Sequence, residues 1–385
     1  MQARTKTIRS ICAGCLFLTG MNIAGCIKPY NPNIQSPATG YLVVEGNLNA
    51  APAPTTITLS RTEPLTDTAS QVFENGASVT VECSDGTTDP AVFGGNGTYN
   101  FGVLPLDSTK TYRLSIRTQD GNQYYSKYVP VIPNPPIDSV NVTFEGDGAH
   151  FSVNTHNPAG NTRYYMWSYA GTWEFHSAEY SFYVYQGDTV ALRTPAQQVY
   201  TCWRGETSTN LLIYSTAKLS QDVVSQFPIL TIPQGDQRLS VEYSLFVTQY
   251  ALGDSAFDYL QLMQSNTENL GSIFDPLPSS LTGNIYCATT PSLQVVGYVN
   301  ASAVQTTRIF VTRPVYWQYY FTYSFPDTTL PGTPQALERN FSGTAPIYTP
   351  ITVPSQPGSG WISNFSTCIS CIAMGGTTTK PPFWP

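Results

Sequence analysis

Ala77-Ser78-Val79-Thr80-Val81-Glu82-Cys83, followed by Ser84-Asp85-Gly86, is the stretch that decides the fold class. Apolar and polar residues alternate with a period of two, and the Asp-Gly pair supplies a corner where φ turns positive. That is the pattern of a half-buried strand entering a hairpin. The same alternation appears at Tyr41–Gly46, Thr56–Arg61 and Tyr112–Ile116, with further corners at Gly94-Gly95-Asn96-Gly97 and Asp120-Gly121. About seven strands in roughly a hundred residues predict a small immunoglobulin- or transthyretin-like sandwich over residues 39–133.

Working outward, Val131-Ile132-Pro133-Asn134-Pro135-Pro136 reads as a stiff connector, because proline fixes φ and cannot donate to a ladder. Residues 137–385 then form a larger β-rich domain, with strand-like alternation at Tyr164–Tyr169 and Glu242–Val247. One helix interrupts it near 254–269. Phe257, Leu260 and Met263 recur at helical spacing, Asp254 or Ser255 can cap the start, and Gly271 ends the run. Residues 326–357 read as loop. The expected class is all-β, two sandwich-like domains with one helix inserted in the second.

At the other end, Arg4, Lys6 and Arg9 precede an apolar run from Ile11 to Ile23, too short to span a bilayer but long enough for a signal-peptide core. Ile23-Ala24-Gly25-Cys26 then forms a lipobox. The expected processing removes residues 1–25 and acylates Cys26, so that the chain is held to the bilayer by lipid, with the proline-bearing residues 26–38 as tether. No other stretch reaches the roughly 18–20 apolar residues of a transmembrane helix. A net charge of −7, with only 11% charged residues, offers no basic face for a phosphate backbone, so nucleic acid is not an expected partner.

With Cys12 and Cys15 in the leader and Cys26 acylated, Cys83, Cys202, Cys287, Cys368 and Cys371 are free to pair. The preferred pairs are Cys368 with Cys371 and Cys202 with Cys287, with one thiol left over. Cys368-Ile-Ser-Cys371 also has half-zinc spacing, but no second pair lies nearby. Catalytic signatures are missing. His150, His156 and His176 match no HExxH spacing, and no GxSxG, P-loop or dinucleotide fingerprint occurs. Glu145-Gly146-Asp147-Gly148 lacks the alternating carboxylates of an EF-hand, and no metal or cofactor is expected. Glu174, Glu179 and Glu206 lie near aromatics, where a glycosidase would need two opposed carboxylates. The binding candidates are aromatic: Tyr165, Trp167, Tyr169 and Trp173, whose amphipathic rings suit interfaces and sugar stacking, with core packing as the competing reading.

Tyr41–Gly46, Leu59-Ser60-Arg61-Thr62, Pro135–Ser139, Cys202-Trp203, Glu242-Tyr243-Ser244, Gly271–Asp275, Gly283-Asn284-Ile285 and Gly375–Trp384, in this order and spacing, resemble a Bacteroidota outer-membrane lipoprotein family known only as domain of unknown function 4249. The resemblance implies an envelope lipoprotein, often encoded beside a TonB-dependent outer-membrane transporter, and hence an accessory or ligand-capture role without catalysis. A carbohydrate-active or other hydrolytic enzyme and a structural envelope lipoprotein are the alternatives. The expected location is the cell outer membrane. Surface-exported lipoproteins of this phylum often carry acidic residues after the acylated cysteine, whereas this chain has Ile27-Lys28-Pro29-Tyr30, so the leaflet stays open. Thr68, Ser139, Thr189 and Ser255, each after an aspartate, resemble the acceptor motif of the phylum's O-glycosylation system. Ordinary turn and cap chemistry produces the same dipeptides.

Overall fold

The computed structural model describes residues 40–63, 71–186, 188–268, 281–319, 321, 325–343, 348–352 and 360–385. Cys26 and Thr68 lie outside them, as do the proposed leader and tether and the helix stop at Gly271. The chain is all-β, as the alternation predicts. In strand Ser78–Cys83 the burial alternates residue by residue, with Val79, Val81 and Cys83 inside. Glu82 points outward and pairs with Arg113 on the neighbouring strand Thr111–Arg117 at 2.6 Å. Each valine buried in this way stabilises the fold by about 1.5–3 kcal/mol relative to exposure.

Two sheets enclose the first core. One runs Val295–Gly297, Leu42–Glu45, Pro54–Arg61, Thr98–Val103, Val92–Gly95; the other runs Asn47–Asn49, Asn300–Ser302, Val129–Ile132, Thr111–Arg117, Gln123–Ser126, Ile285–Cys287. Three of these strands come from residues 285–302. Val295–Gly297 pairs parallel with Leu42–Val44, and Asn300–Ser302 lies parallel between Asn47–Asn49 and Val131–Ile132. Ile285, Cys287, Val295, Val299 and Ala301 are buried among the side chains of residues 42–129. A boundary at 133–137 therefore does not separate the two cores. Strands added in parallel from a distant segment leave no hairpin turn in the sequence to announce them.

The second core lies between a three-stranded sheet (Ile137–Phe144, Gly148–His156, Val223–Pro233) and a five-stranded one built on the long strand Tyr164–His176, flanked by Glu242–Ala251, Thr201–Thr207 and Leu212–Ser215, with Gln305–Thr312 at its edge. Gln249, fully buried, clamps the proline connector against this core. Its side chain donates to the carbonyl of Pro135 at 2.8 Å and to Asn134 Oδ1 at 3.1 Å, and accepts from the Trp167 indole at 2.9 Å.

The helix expected near 254–269 spans Asp254–Glu268. Asp254 is inside its first turn, where a carboxylate complements the helix dipole, and the Gly253 carbonyl accepts the Phe257 N–H at 3.0 Å, so the chain enters the helix one residue earlier than a cap at Asp254 requires. Two further helices correct the expectation of a single one. Pro334–Phe341 is capped by Thr333, whose hydroxyl accepts the Ala336 N–H, and Ser366–Ile369 is a short turn. Residues 328–330, 348–352 and 361–365 form a further small sheet, its first two strands lying where loop was expected. Thr377 makes a two-way bridge to Trp203, and the Trp384 ring lies on Trp203 and Phe310, covering the outer face of the five-stranded sheet.

The disulfide joins Cys202 to Cys371, with Cα atoms 5.6 Å apart; Cys83, Cys287 and Cys368 are free and buried. Neither preferred pair forms. Cys287 belongs to the first core and Cys202 to the second, so they cannot meet. Cys368 lies in the short helix, and Cys371 just after it is drawn to the Thr201–Thr207 strand by its N–H to the Val199 carbonyl. Peptide mapping without reduction is expected to recover one crosslink, Cys202 to Cys371. The C202S/C371S variant should lose about 2–4 kcal/mol in denaturant unfolding, whereas C368S should keep the crosslink.

Candidate functional site

The aromatic residues proposed from the sequence are core. Tyr165, Trp167 and Trp173 are buried in the second core, and Tyr169 packs half-buried against it. Strand Tyr164–His176 explains why: odd-numbered positions face inward, so the aromatic alternation is the packing face itself. Tyr165 donates to Asp222, Trp167 to Gln249, and the Tyr165 and Trp167 rings stack at 5.7 Å.

The three glutamates considered for glycoside chemistry are not opposed. Glu206 is held by Arg238 through both oxygens at 3.1 Å and accepts from the Tyr243 hydroxyl at 2.8 Å. Glu174 pairs across the sheet with Glu242 and contacts His176 at 3.3 Å. Glu179 lies at the small sheet of residues 328–365, bound to Asn364 at 2.9 Å, with Asp327 on the same amide; burial and the Asp327 charge push its carboxyl up. His150 and His156 do not face each other: His150 bonds Asp147 and Thr231, and His156 bonds Asp138 at 2.7 Å. Glu145, Asp147 and His150 come together at a hairpin tip, their ligand atoms within 4.8 Å, with the two carboxylates exposed and His150 hydrogen-bonded to Asp147. Ser139 is half-buried and accepts from Asn154, while Thr189 and Ser255 are exposed.

The residues that do converge were not read as a site in the sequence. An apolar crevice of about 520 Å³ opens where the first sandwich, the long strand of the second and the helix Asp254–Glu268 meet. Val44 and Val296 form one wall, Met166 and Leu252 the other, and Leu260 and Met263 the helical side. Phe257 anchors the helix against Tyr164, ring centroids 4.8 Å apart. Tyr259 and Asn300 at its rim are spent on structure, whereas the exposed Glu45 side chain bonds no described residue. Tyr259 accepts the Gly297 N–H at 2.9 Å; Asn300 donates to Asn47 and to the Ala251 carbonyl, both at 2.9 Å. Burial raises the Tyr250 phenol above its ordinary value against a hydrogen bond to Ser168, and raises Tyr298 against one to Ser255. Gly297 sits at φ 133°, and a Cβ there would fall 2.2 Å from the Val44 carbonyl oxygen, so only glycine lets the parallel pair close beside the crevice. Such a cavity, apolar with a few fixed polar groups, has the size and lining of small-molecule sites. Its lining is spread over residues 43–300 in separate segments, of which 43–47 reads in sequence only as a strand and Leu260 and Met263 only as part of a helical stripe.

The Arg238 cluster next to the second core carries a pH dependence. Burial alone would push Asp236 up, but the Arg238 side chain (2.8 and 3.1 Å) and backbone N–H (2.9 Å) hold it below the usual carboxylate range. A folded-state pKa depressed below the unfolded value near 3.9 means the unfolded chain takes up more protons in that window. The cluster's contribution is complete above about pH 4 and is lost as the pH falls through the folded value. Urea unfolding between pH 6 and pH 2.5 should therefore show stability dropping below about pH 4, with the drop shallower in D236N.

The family model described as "Domain of unknown function (DUF4249)" matches residues 27–308. No curated protein matches the sequence. Among solved structures, chitinase ChiA74 from Bacillus thuringiensis aligns at 12% identity and a TM-score of 0.15, over 46% of this chain and 29% of its own, a likeness that carries no argument.

Proposed function

The chain belongs to the family described as "Domain of unknown function (DUF4249)", and from that premise we propose that it is a non-catalytic, lipid-anchored protein of the cell outer membrane that holds an apolar small molecule and serves a TonB-dependent outer-membrane transporter. The observation that carries the reading is the crevice between the two sandwiches: its walls carry valine, leucine and methionine, and Tyr259 and Asn300 at its rim are already hydrogen-bonded. A ligand there gains by removing apolar surface from water, at roughly 25 cal/mol per Å². Met166 and Met263 on facing walls suit ligands of varied shape, since the thioether is flexible and polarisable. The lipobox at Ile23–Cys26 and the resemblance to Bacteroidota envelope lipoproteins support the anchor and the partner.

The expected result is saturable fluorescence enhancement of N-phenyl-1-naphthylamine by the purified chain, displaced by long-chain fatty acids. The half-buried Met263, changed to glutamate, should weaken the dye about tenfold or more, because the charge must be desolvated on the crevice wall. Crosslinking in native membranes should recover a TonB-dependent transporter with the wild-type chain but not with C26A. Dye binding that M263E leaves unchanged would rule out the crevice as the binding site, and crosslinks without a transporter would rule out the partner.

A further inference from the structure

A second cavity, of about 470 Å³, shares no residue with the apolar crevice and is lined by opposite chemistry. It lies between residues 156–163, which leave strand Gly148–His156, and residues 220–223, which lead into strand Val223–Pro233. The Asn157 N–H donates to the Asp222 carbonyl at 2.9 Å and ties the two loops together.

Two charged groups on its wall are incompletely served. Asp222 is 4% exposed. Its Oδ1 accepts from the Thr216 hydroxyl at 2.6 Å and from the Tyr165 hydroxyl at 3.0 Å, but its Oδ2 is buried with no hydrogen-bond partner among the described residues. A carboxylate oxygen buried without a donor costs free energy that a bound donor returns. Arg163 reaches only the carbonyls of Thr216 and Leu219, both at 3.5 Å, and forms no ion pair with any described residue. Its guanidinium passes over Gly160, where a Cβ would stand 3.3 Å from Nη2. Thr216 touches both groups, through its carbonyl and its hydroxyl, so the cation and the carboxylate are one residue apart. His156, the other titratable group on the wall, is paired with Asp138.

From this arrangement we propose that the cleft binds a small zwitterion of the α-amino acid type, its carboxylate on Arg163 and its ammonium toward Asp222. A simple anion would serve Arg163 and leave Oδ2 without a donor, and a simple cation would meet the guanidinium's charge. Only a molecule carrying both signs satisfies both groups. No described Tyr, Trp or Phe lines the cleft, and the one described imidazole on its wall, His156, is held by Asp138, so a sugar finds no broad stacking platform there.

Isothermal titration of the full chain with glycine, L-alanine and L-glutamine, with acetate, methylammonium and glucose as controls, tests the assignment. At least one amino acid should give saturable heat, and acetate or methylammonium alone should bind about tenfold more weakly or worse. R163Q should weaken the amino acid about tenfold or more with an unchanged melting temperature, and R163K should recover part of the loss. D222N should weaken it too. If D222N fails to fold, the two arginine variants and the single-charge controls decide the matter. No saturable heat with any amino acid, acetate binding as tightly as the amino acid, glucose binding in its place, or R163Q binding like wild type would each overturn the proposal.

Discussion

The parallel pairing of residues 295–297 with 42–44, and of 300–302 with 47–49 and 131–132, is the constraint on which the rest of the structure depends. It completes the first core with side chains from far along the chain, and it holds the helix Asp254–Glu268 beside it through the Tyr259 hydroxyl. Tyr259 and Gly297 mark the join: the phenol oxygen takes the N–H of a glycine whose absent side chain lets two backbones touch. Without the seam the crevice would lose the wall that Val44 and Val296 form and the Gly297 contact that holds Tyr259 of the helix.

The same seam shows what the sequence made legible and what it did not. Alternation in Ser78–Cys83 and Thr111–Arg117 is a local property, so each strand and its inward face could be read directly. The helix was legible from Phe257, Leu260 and Met263, and its start missed only by the entry residue. Pairing between residues more than 250 apart has no local signature, and a contiguous boundary at the proline connector was the natural but mistaken reading. The cysteines failed for the same reason: closeness in sequence favoured Cys368 with Cys371, whereas the fold laid Cys371 against the Cys202 strand.

The site was harder still. Tyr165, Trp167 and Trp173 were conspicuous because they were aromatic and clustered, yet clustering on alternate positions of a strand places rings in the core. The residues that line the two cavities are ordinary ones: valine, methionine and leucine in one, and Arg163, Asp222 and glycine-bearing loops in the other. What distinguishes them is the state of their hydrogen bonds. Around the apolar crevice Tyr259 and Asn300 are satisfied, whereas on the polar cleft, among the described residues, one carboxylate oxygen lacks a donor and one guanidinium has only long contacts.

The cover that Thr377 and Trp384 lay over Trp203, together with the Cys202–Cys371 link, has a bearing on biogenesis. A polypeptide that emerges from its amino end presents residue 202 long before residue 371 or 384 exists to meet it, and presents residues 42–44 before 295–297. Neither half can close vectorially, one after the other, as independently folding domains do during synthesis. The nascent strands must wait with open edges and bare rings until nearly the whole chain is through, a period in which escort by a chaperone has physical value.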